Sequence, residues 1–225
     1  MLLRATLKQN TQTTRVLGLV VLVSLVFIFR SMRGLQEVSP VIVQDTLASR
    51  TSASTSKASE NFLYFAYASD LLESRLKAGG GPSAKLIGIG RVKGMKFAFS
   101  QESKVWRGGV ADMIPSTNEE DEVWGAVYRL KAADLIGLNK QKGTNKEDPL
   151  YEQIYVKVEM SDKVVSAISF GIVDHKRLSY GAAPSPQYKE CLVRGAEELG
   201  LPDEYIETLR VTKDNGSTYR RKNTC

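Results

Sequence analysis

One stretch constrains this chain more than any other: FLYFAYASDLL, residues 62–72. Six apolar or aromatic residues run without alternation, then stop at Ala68-Ser69-Asp70, and an apolar pair starts something new. A short unbroken apolar run bounded by a turn signal reads as a buried strand. The residues from Asp70 to Ala78 then take helical spacing through Leu71, Leu72 and Leu76, and Ser69 or Asp70 is placed to cap that helix. A strand that turns into a helix through small residues presents backbone N–H groups and a partial positive charge at the turn, which suits a carboxylate or phosphate. Ala68 and Ser69 would let a ligand approach the backbone, and Tyr64 and Tyr67 could close over it. The same residues also fit a tight strand-to-helix turn with a capping serine and no ligand.

The remaining pattern is mixed. KLIGIGRVKGMKFAFS alternates as strands do, and RGGVADMIPS and DEVWGAVYRL read as two further strands with an acidic turn between them. KAADLIGLNKQKG reads as a helix ended at Gly143. YEQIYVKVEM and VVSAISFGIV read as a hairpin around Ser161-Asp162-Lys163. Pro186 opens a helix that Gly200 closes, and Pro202 opens a last one. The expected class is α+β, built on a mostly antiparallel, strongly curved sheet.

Outside this domain the chain is different. Residues 16–29, VLGLVVLVSLVFIF, carry no charge and are bracketed by Arg15 and Arg30. They fall short of the about 20 residues that span a hydrocarbon core, but flanking arginines can snorkel and lengthen the span. A cleaved signal peptide is the rival reading; the basic FRSMRG that follows lacks a small-x-small cleavage site, which favours an uncleaved signal-anchor. The basic bias before the span points the N-terminus to the cytoplasm and the domain to the lumen or the cell exterior. A short span suits early secretory membranes, and Asn215-Gly216-Ser217 would then be a glycosylation acceptor. The expected organisation is a basic segment 1–15, a membrane span 16–30, a disordered Ser/Thr/Ala-rich tether 31–61, a folded domain 62–210 and a polar tail 211–225.

Charge and cysteine usage exclude several classes. The net charge of +6 comes from 31 basic and 25 acidic residues, and the excess gathers at the two ends of the chain, so no nucleic-acid face is expected. The two cysteines, Cys191 and Cys225, are too few for a disulfide framework, and neither has a metal-ligand neighbour at useful spacing. The one histidine, His175, has no ligand-type partner nearby and reads as a surface or capping residue.

The motifs resemble those of the γ-glutamylcyclotransferases, in the larger single-domain branch. FLYFAYASDLL is similar to the family's Tyr-Gly-Ser-Asn-Leu signature. WRGGVADMIPS (106–116), DEVWGAVYRL (121–130), LNKQKG (138–143), YEQIYVKVEM (151–160) and APSPQYKECLVRGAEELGLPDEYIETL (183–209) follow in the family's order. The resemblance covers 62–210. It implies a small mixed β-barrel with surrounding helices, and cyclisation of a γ-glutamyl amino acid to 5-oxoproline with release of the amino acid. It implies no metal and no organic cofactor, a small γ-glutamyl ligand as partner, and leaves a homodimer open. Carried over by position, Tyr64, Phe65, Ala66, Tyr67, Ala68 and Ser69 form the substrate-binding loop, and Tyr188 lines the pocket. The family's base is the glutamate of a Glu-Gly pair; that place is held here by Lys142, before Gly143.

A lysine there reverses the charge where a substrate ammonium must dock and lose a proton. Asp70 and Ala68 replace the family's asparagine and glycine. A carboxylate at Asp70 could hold the amine instead, a desolvated neutral Lys142 could act as base, and Glu147, Asp148 and Glu152 are near in sequence. Two functions stay open: an active cyclotransferase with an altered base, or an inactive member that binds a γ-glutamyl-type ligand or protein partner through the same pocket. On sequence grounds, Lys142→Glu is expected to raise turnover.

Overall fold

A computed structural model describes residues 60–220 and residue 225. The expected basic segment 1–15, the membrane span 16–30 and nearly all of the tether 31–61 lie outside the described residues. Among the described residues no helix is long and apolar enough to cross a membrane.

The described residues form seven strands: β1 (Asn61–Ala66), β2 (Lys85–Lys93), β3 (Met95–Ser103), β4 (Gly108–Pro115), β5 (Glu122–Lys131), β6 (Tyr151–Glu159) and β7 (Val164–Ile172). Among these residues the α-helices are α1 (Glu73–Ala78), α2 (Asp134–Lys142), α3 (Pro186–Leu199) and α4 (Asp203–Val211). Five strands close into a barrel in the order β1-β5-β2-β6-β7, and β3 and β4 form a separate two-stranded sheet. The barrel is mixed: β1 lies antiparallel to β5, from Asn61 opposite Lys131 to Ala66 opposite Ala126, and parallel to β7, with Tyr64 opposite Ile168. A closed mixed barrel with helices around it is the architecture that the resemblance implies.

The unbroken apolar run of β1 follows from its position. Phe65 and Tyr67 belong to one core cluster with Val127, Val158 and Leu192, whereas Tyr64 and Ala66 belong to another with Leu76, Tyr128 and Leu138. A strand covered on both faces has no solvent side to make polar, so it does not alternate. Helix ends obey local rules. Pro186 sits in the first turn of α3 behind the Ser185 cap, and Gly143 and Gly200 end α2 and α3 in the left-handed conformation at φ 71° and 67°.

A buried carboxylate fastens the small sheet to the barrel. Asp112 on β4 is fully buried and accepts from Ser100 Oγ at 2.7 Å, Arg177 Nε at 2.6 Å and the backbone N–H of Ile172, at the end of β7, at 3.0 Å. With its hydrogen bonds filled, the charge can stay buried.

The two cysteines are bonded to each other: Cys191 on α3 and Cys225 form a disulfide with Cα atoms 5.4 Å apart, inside the usual range. Sequence alone gave neither a partner. The described part of 211–225, read from sequence as a polar tail, is tied down at other points too. Asn215 Nδ2 donates to the Arg107 carbonyl at 2.7 Å, and Lys189 pairs with Asp214 at 2.9 Å. The side-chain nitrogen that glycosylation would use is therefore engaged.

β1 and β5 approach closely at Gly125, where a Cβ would run into the Ala66 carbonyl oxygen and the Phe65 ring. Gly125→Ala is expected to cost about 1–3 kcal/mol by overpacking. A lowered urea midpoint with unchanged slope would register it; an unchanged midpoint would show that β1 can yield.

Candidate functional site

The end of β1 feeds the site. Ala66 is the last residue of the strand, and Ser69–Leu71 form a single 3-10 turn before α1. No side chain caps either short helix, so the capping role expected of Ser69 or Asp70 is not what the structure shows. Asp70 instead turns inward. It is 1% exposed, and its Oδ2 accepts from the Tyr64 hydroxyl at 2.8 Å and from the Lys142 ammonium at 2.8 Å. Its other oxygen, Oδ1, is sealed from solvent and has no hydrogen-bond partner among the described residues.

Lys142 is the last residue of α2, and Gly143 closes that helix. A cation at a helix C-terminus meets the negative end of the helix dipole. Its side chain keeps 15% of its exposure, and its nitrogen lies 6.0 Å from the Tyr151 ring centre and 5.8 Å from that of Phe170. Burial, the largest single influence, would push the Asp70 carboxyl up. The Lys142 ammonium and the hydrogen bonds from Lys142 and Tyr64 outweigh it, with Arg75 adding, so the carboxyl sits below its usual range. Asp70 is therefore ionised at neutral pH, and the pair is a true ion pair rather than a neutral contact.

Lys142, Tyr151 and Phe170 border a cavity of about 1000 Å³, with Asp70 behind its wall. Tyr64, Tyr67, Ala68, Ser69, Lys142 and Tyr188 all line it. Phe65 and Ala66 do not: both side chains are packed into the core at 0% and 1% exposure, and the Phe65 carbonyl is occupied by Ser169 Oγ at 2.8 Å. The acids near Lys142 in sequence do not reach the cavity either. Glu147, Asp148 and Glu152 are exposed, and Asp148 pairs with Lys176.

The walls are aromatic. Tyr67 donates to the Phe170 carbonyl at 2.7 Å, and the Tyr188 hydroxyl accepts from the Ala111 N–H at 3.1 Å, binding α3 to β4. Burial pushes Tyr64, Tyr67, Tyr151 and Tyr188 upward, so all four are neutral phenols. Trp106 packs on Tyr188 with ring centres 4.7 Å apart, and the Arg75 guanidinium stacks on Trp106 at 4.7 Å. Sequence reading missed Arg75, Tyr151 and Phe170 as lining residues. Each comes from a different element, and only barrel closure brings them together. Trp106 stood at the head of one of the motifs, which was a usable signal. Among the described residues no cluster of three or more His, Cys, Asp or Glu is placed to hold a metal ion.

Comparison with known proteins agrees with this geometry. Residues 122–209 match the AIG2-like family. The chain is 36% identical over 164 residues to a γ-glutamylcyclotransferase of Homo sapiens, covering 71% of this chain and 82% of that one. It is 35% identical over 161 residues to the γ-glutamylcyclotransferase of Mus musculus, covering 69% and 81%. A solved structure titled γ-glutamyl cyclotransferase superposes with a TM-score of 0.66 at 35% identity, covering 73% of this chain and 95% of that one. The chain belongs to the γ-glutamylcyclotransferase family.

Removing one half of a buried ion pair leaves the other charge stranded, at a cost of about 3–5 kcal/mol. Lys142→Ala is expected to lower stability by that order at neutral pH, and Lys142→Met with Asp70→Asn to recover most of it. Because the folded Asp70 carboxyl lies below its unfolded value, the contribution of the pair is full above about pH 4 and fades as pH falls through the lower folded value. Denaturant unfolding of the two variants at pH 7 and pH 3 checks both signs. Equal stability of Lys142→Ala and the natural chain at pH 7 would mean that the pair contributes nothing net.

Proposed function

We propose that this chain is a γ-glutamylcyclotransferase-type protein whose cavity takes a small γ-glutamyl compound and holds it folded for closure to 5-oxoproline. The carrying observation is that Tyr64, Tyr67, Ala68 and Ser69 border one aromatic cavity of about 1000 Å³ with Tyr188, far off in sequence. In this reaction the substrate's α-nitrogen forms a bond to its own γ-carbonyl carbon, and the γ-amide C–N bond breaks. The α-ammonium loses two protons as it becomes the lactam N–H, and the departing nitrogen gains two and leaves as an ammonium. The nucleophile and electrophile share one molecule, so the protein's main task is to fold it, which can account for much of the rate. The Tyr64, Tyr67 and Tyr188 walls are suited to that, and Ser69 offers a polar edge.

A second reading, a binding protein without turnover, is favoured by one observation: Lys142 is ion-paired to Asp70 at 2.8 Å. By the resemblance, position 142 is where the family keeps its glutamate base. An ammonium cannot take a proton, and Asp70, held below its usual range and sealed from solvent, is a poor substitute. We infer that the exchange at 142 is coupled to the one at 70. An asparagine at 70 could donate to a glutamate at 142; here the lysine donates to the aspartate, so the hydrogen bond persists with donor and acceptor swapped.

This changes the expected effect of reversion. Lys142→Glu alone would set a second carboxylate against buried Asp70, raising the proton affinity of one of them and destabilising the loop. It is expected to give little turnover. Asp70→Asn with Lys142→Glu is expected to raise 5-oxoproline release from γ-glutamyl-alanine by a large part of the about 10²–10⁴-fold that a general base supplies. Robust release by the natural chain, surviving Lys142→Ala, would establish the first reading and defeat the second.

We also propose that residues 16–30 anchor the domain in a secretory-pathway membrane, with the domain on the lumenal or outer side. The Cys191–Cys225 disulfide supports this, since such bonds persist chiefly in oxidising compartments. The full chain is expected to stay in the pellet after carbonate extraction; release at reduced mass would reveal a cleaved signal peptide instead.

A further inference from the structure

Among the described residues, the charged side chains on the cavity wall have one sign: Arg75, Lys142 and Arg194 border it, and no aspartate or glutamate side chain does. The carboxylate nearest by sequence, Asp70, is behind the wall, 1% exposed, with Oδ2 taken by Lys142 and Tyr64 and Oδ1 out of reach of solvent. The ion pair is thus oriented: Lys142 borders the cavity and Asp70 does not. Arg194 is partly offset by Glu198 at 2.8 Å on the same helix, but Glu198 is not on the wall. The phenols offer no anion. Tyr64 donates its hydrogen bond to Asp70 and Tyr67 to the Phe170 carbonyl, and both remain neutral.

A γ-glutamyl amino acid enters with an α-ammonium and two carboxylates. Its ammonium finds no acidic side chain on this wall and is repelled by Lys142. A ligand with the same carboxylate but an uncharged nitrogen avoids that penalty. An ammonium has three N–H donors, and one of those on Lys142 serves Asp70. The others can serve a ligand carboxylate, with Tyr151 and Phe170 flanking the nitrogen. We propose that the pocket selects small carboxylic acids whose nitrogen is acylated, the five-membered lactam acid 5-oxoproline being the simplest, with Lys142 holding the carboxylate. This rests on the reading that the cavity is a γ-glutamyl-class site that binds without turnover.

The test is calorimetric titration of the full chain, in detergent if needed, with 5-oxoproline, 5-oxoproline methyl ester, γ-glutamyl-alanine and N-acetyl-γ-glutamyl-alanine. The expected order is the N-acetyl compound at least tenfold tighter than γ-glutamyl-alanine, and 5-oxoproline at least tenfold tighter than its ester. Lys142→Met with Asp70→Asn, chosen because it strands no charge, is expected to abolish both differences. Equal or tighter binding of γ-glutamyl-alanine, lost on Tyr188→Ala, would overturn the inference and leave the pocket assignment standing. Retention of both preferences in the double variant would overturn the role of Lys142. Failure of all four compounds to bind would overturn the inference and the pocket assignment together.

Discussion

Barrel closure depends on β1. This six-residue strand pairs antiparallel with β5 on one edge and parallel with β7 on the other, so it is the seam at which the sheet meets itself. Its alternate side chains feed two separate core clusters, through Phe65 on one side and Tyr64 on the other. Both faces and both edges are therefore occupied, and the chain leaving Ala66 has a fixed starting direction. The turn at Ala68–Leu71 inherits that precision. A site on such a turn gains positional accuracy from a scaffold that cannot shift without opening the barrel.

The same strand supplies the polar centre of the site. Tyr64 faces away from Phe65 and reaches Asp70, and Asp70 in turn fixes Lys142 at the end of α2. One carboxylate oxygen thus joins β1 and the turn that follows it to the end of α2, 72 residues on. A second buried carboxylate, Asp112, does the equivalent work for the small sheet, securing β4 so that Ala111 meets Tyr188. The cavity is bounded by these two anchor points, one presenting a cation to it and one presenting a phenol.

Much of the local structure was legible because it obeys local rules. Gly143, Gly200 and Pro186 mark helix ends wherever the chain is folded, and the hairpin of β6 and β7 follows from alternation and a polar turn. The candidate site was legible in part, through motifs that resemble a known family. Tyr64, Tyr67, Ala68, Ser69, Lys142 and Tyr188 come together on one wall, while Phe65 and Ala66 are spent on the core. What escaped was long-range. Asp70 looked like a helix cap because capping is a contact within a few residues; its real partner is 72 residues away. Cys191 and Cys225, 34 residues apart, carry no spacing signal until α3 is placed. Arg75 meets Trp106 only because the turn between β3 and β4 carries the indole to it.

Gly143 ends α2 in the left-handed conformation, and this fixes residue 142 at the electronegative tip of the helix whatever its side chain. A carboxylate there works against the local field, which raises its affinity for a proton and makes it a better base at the expense of the fold. A lysine there works with the field, and with Asp70 beneath it gains a partner as well. Stability and chemistry thus pull residue 142 in opposite directions, as they often do where strain serves function. Under the exchange proposed for positions 70 and 142, moving between the two pairs by single substitutions passes through an intermediate with either two facing carboxylates or a cation without its counter-charge.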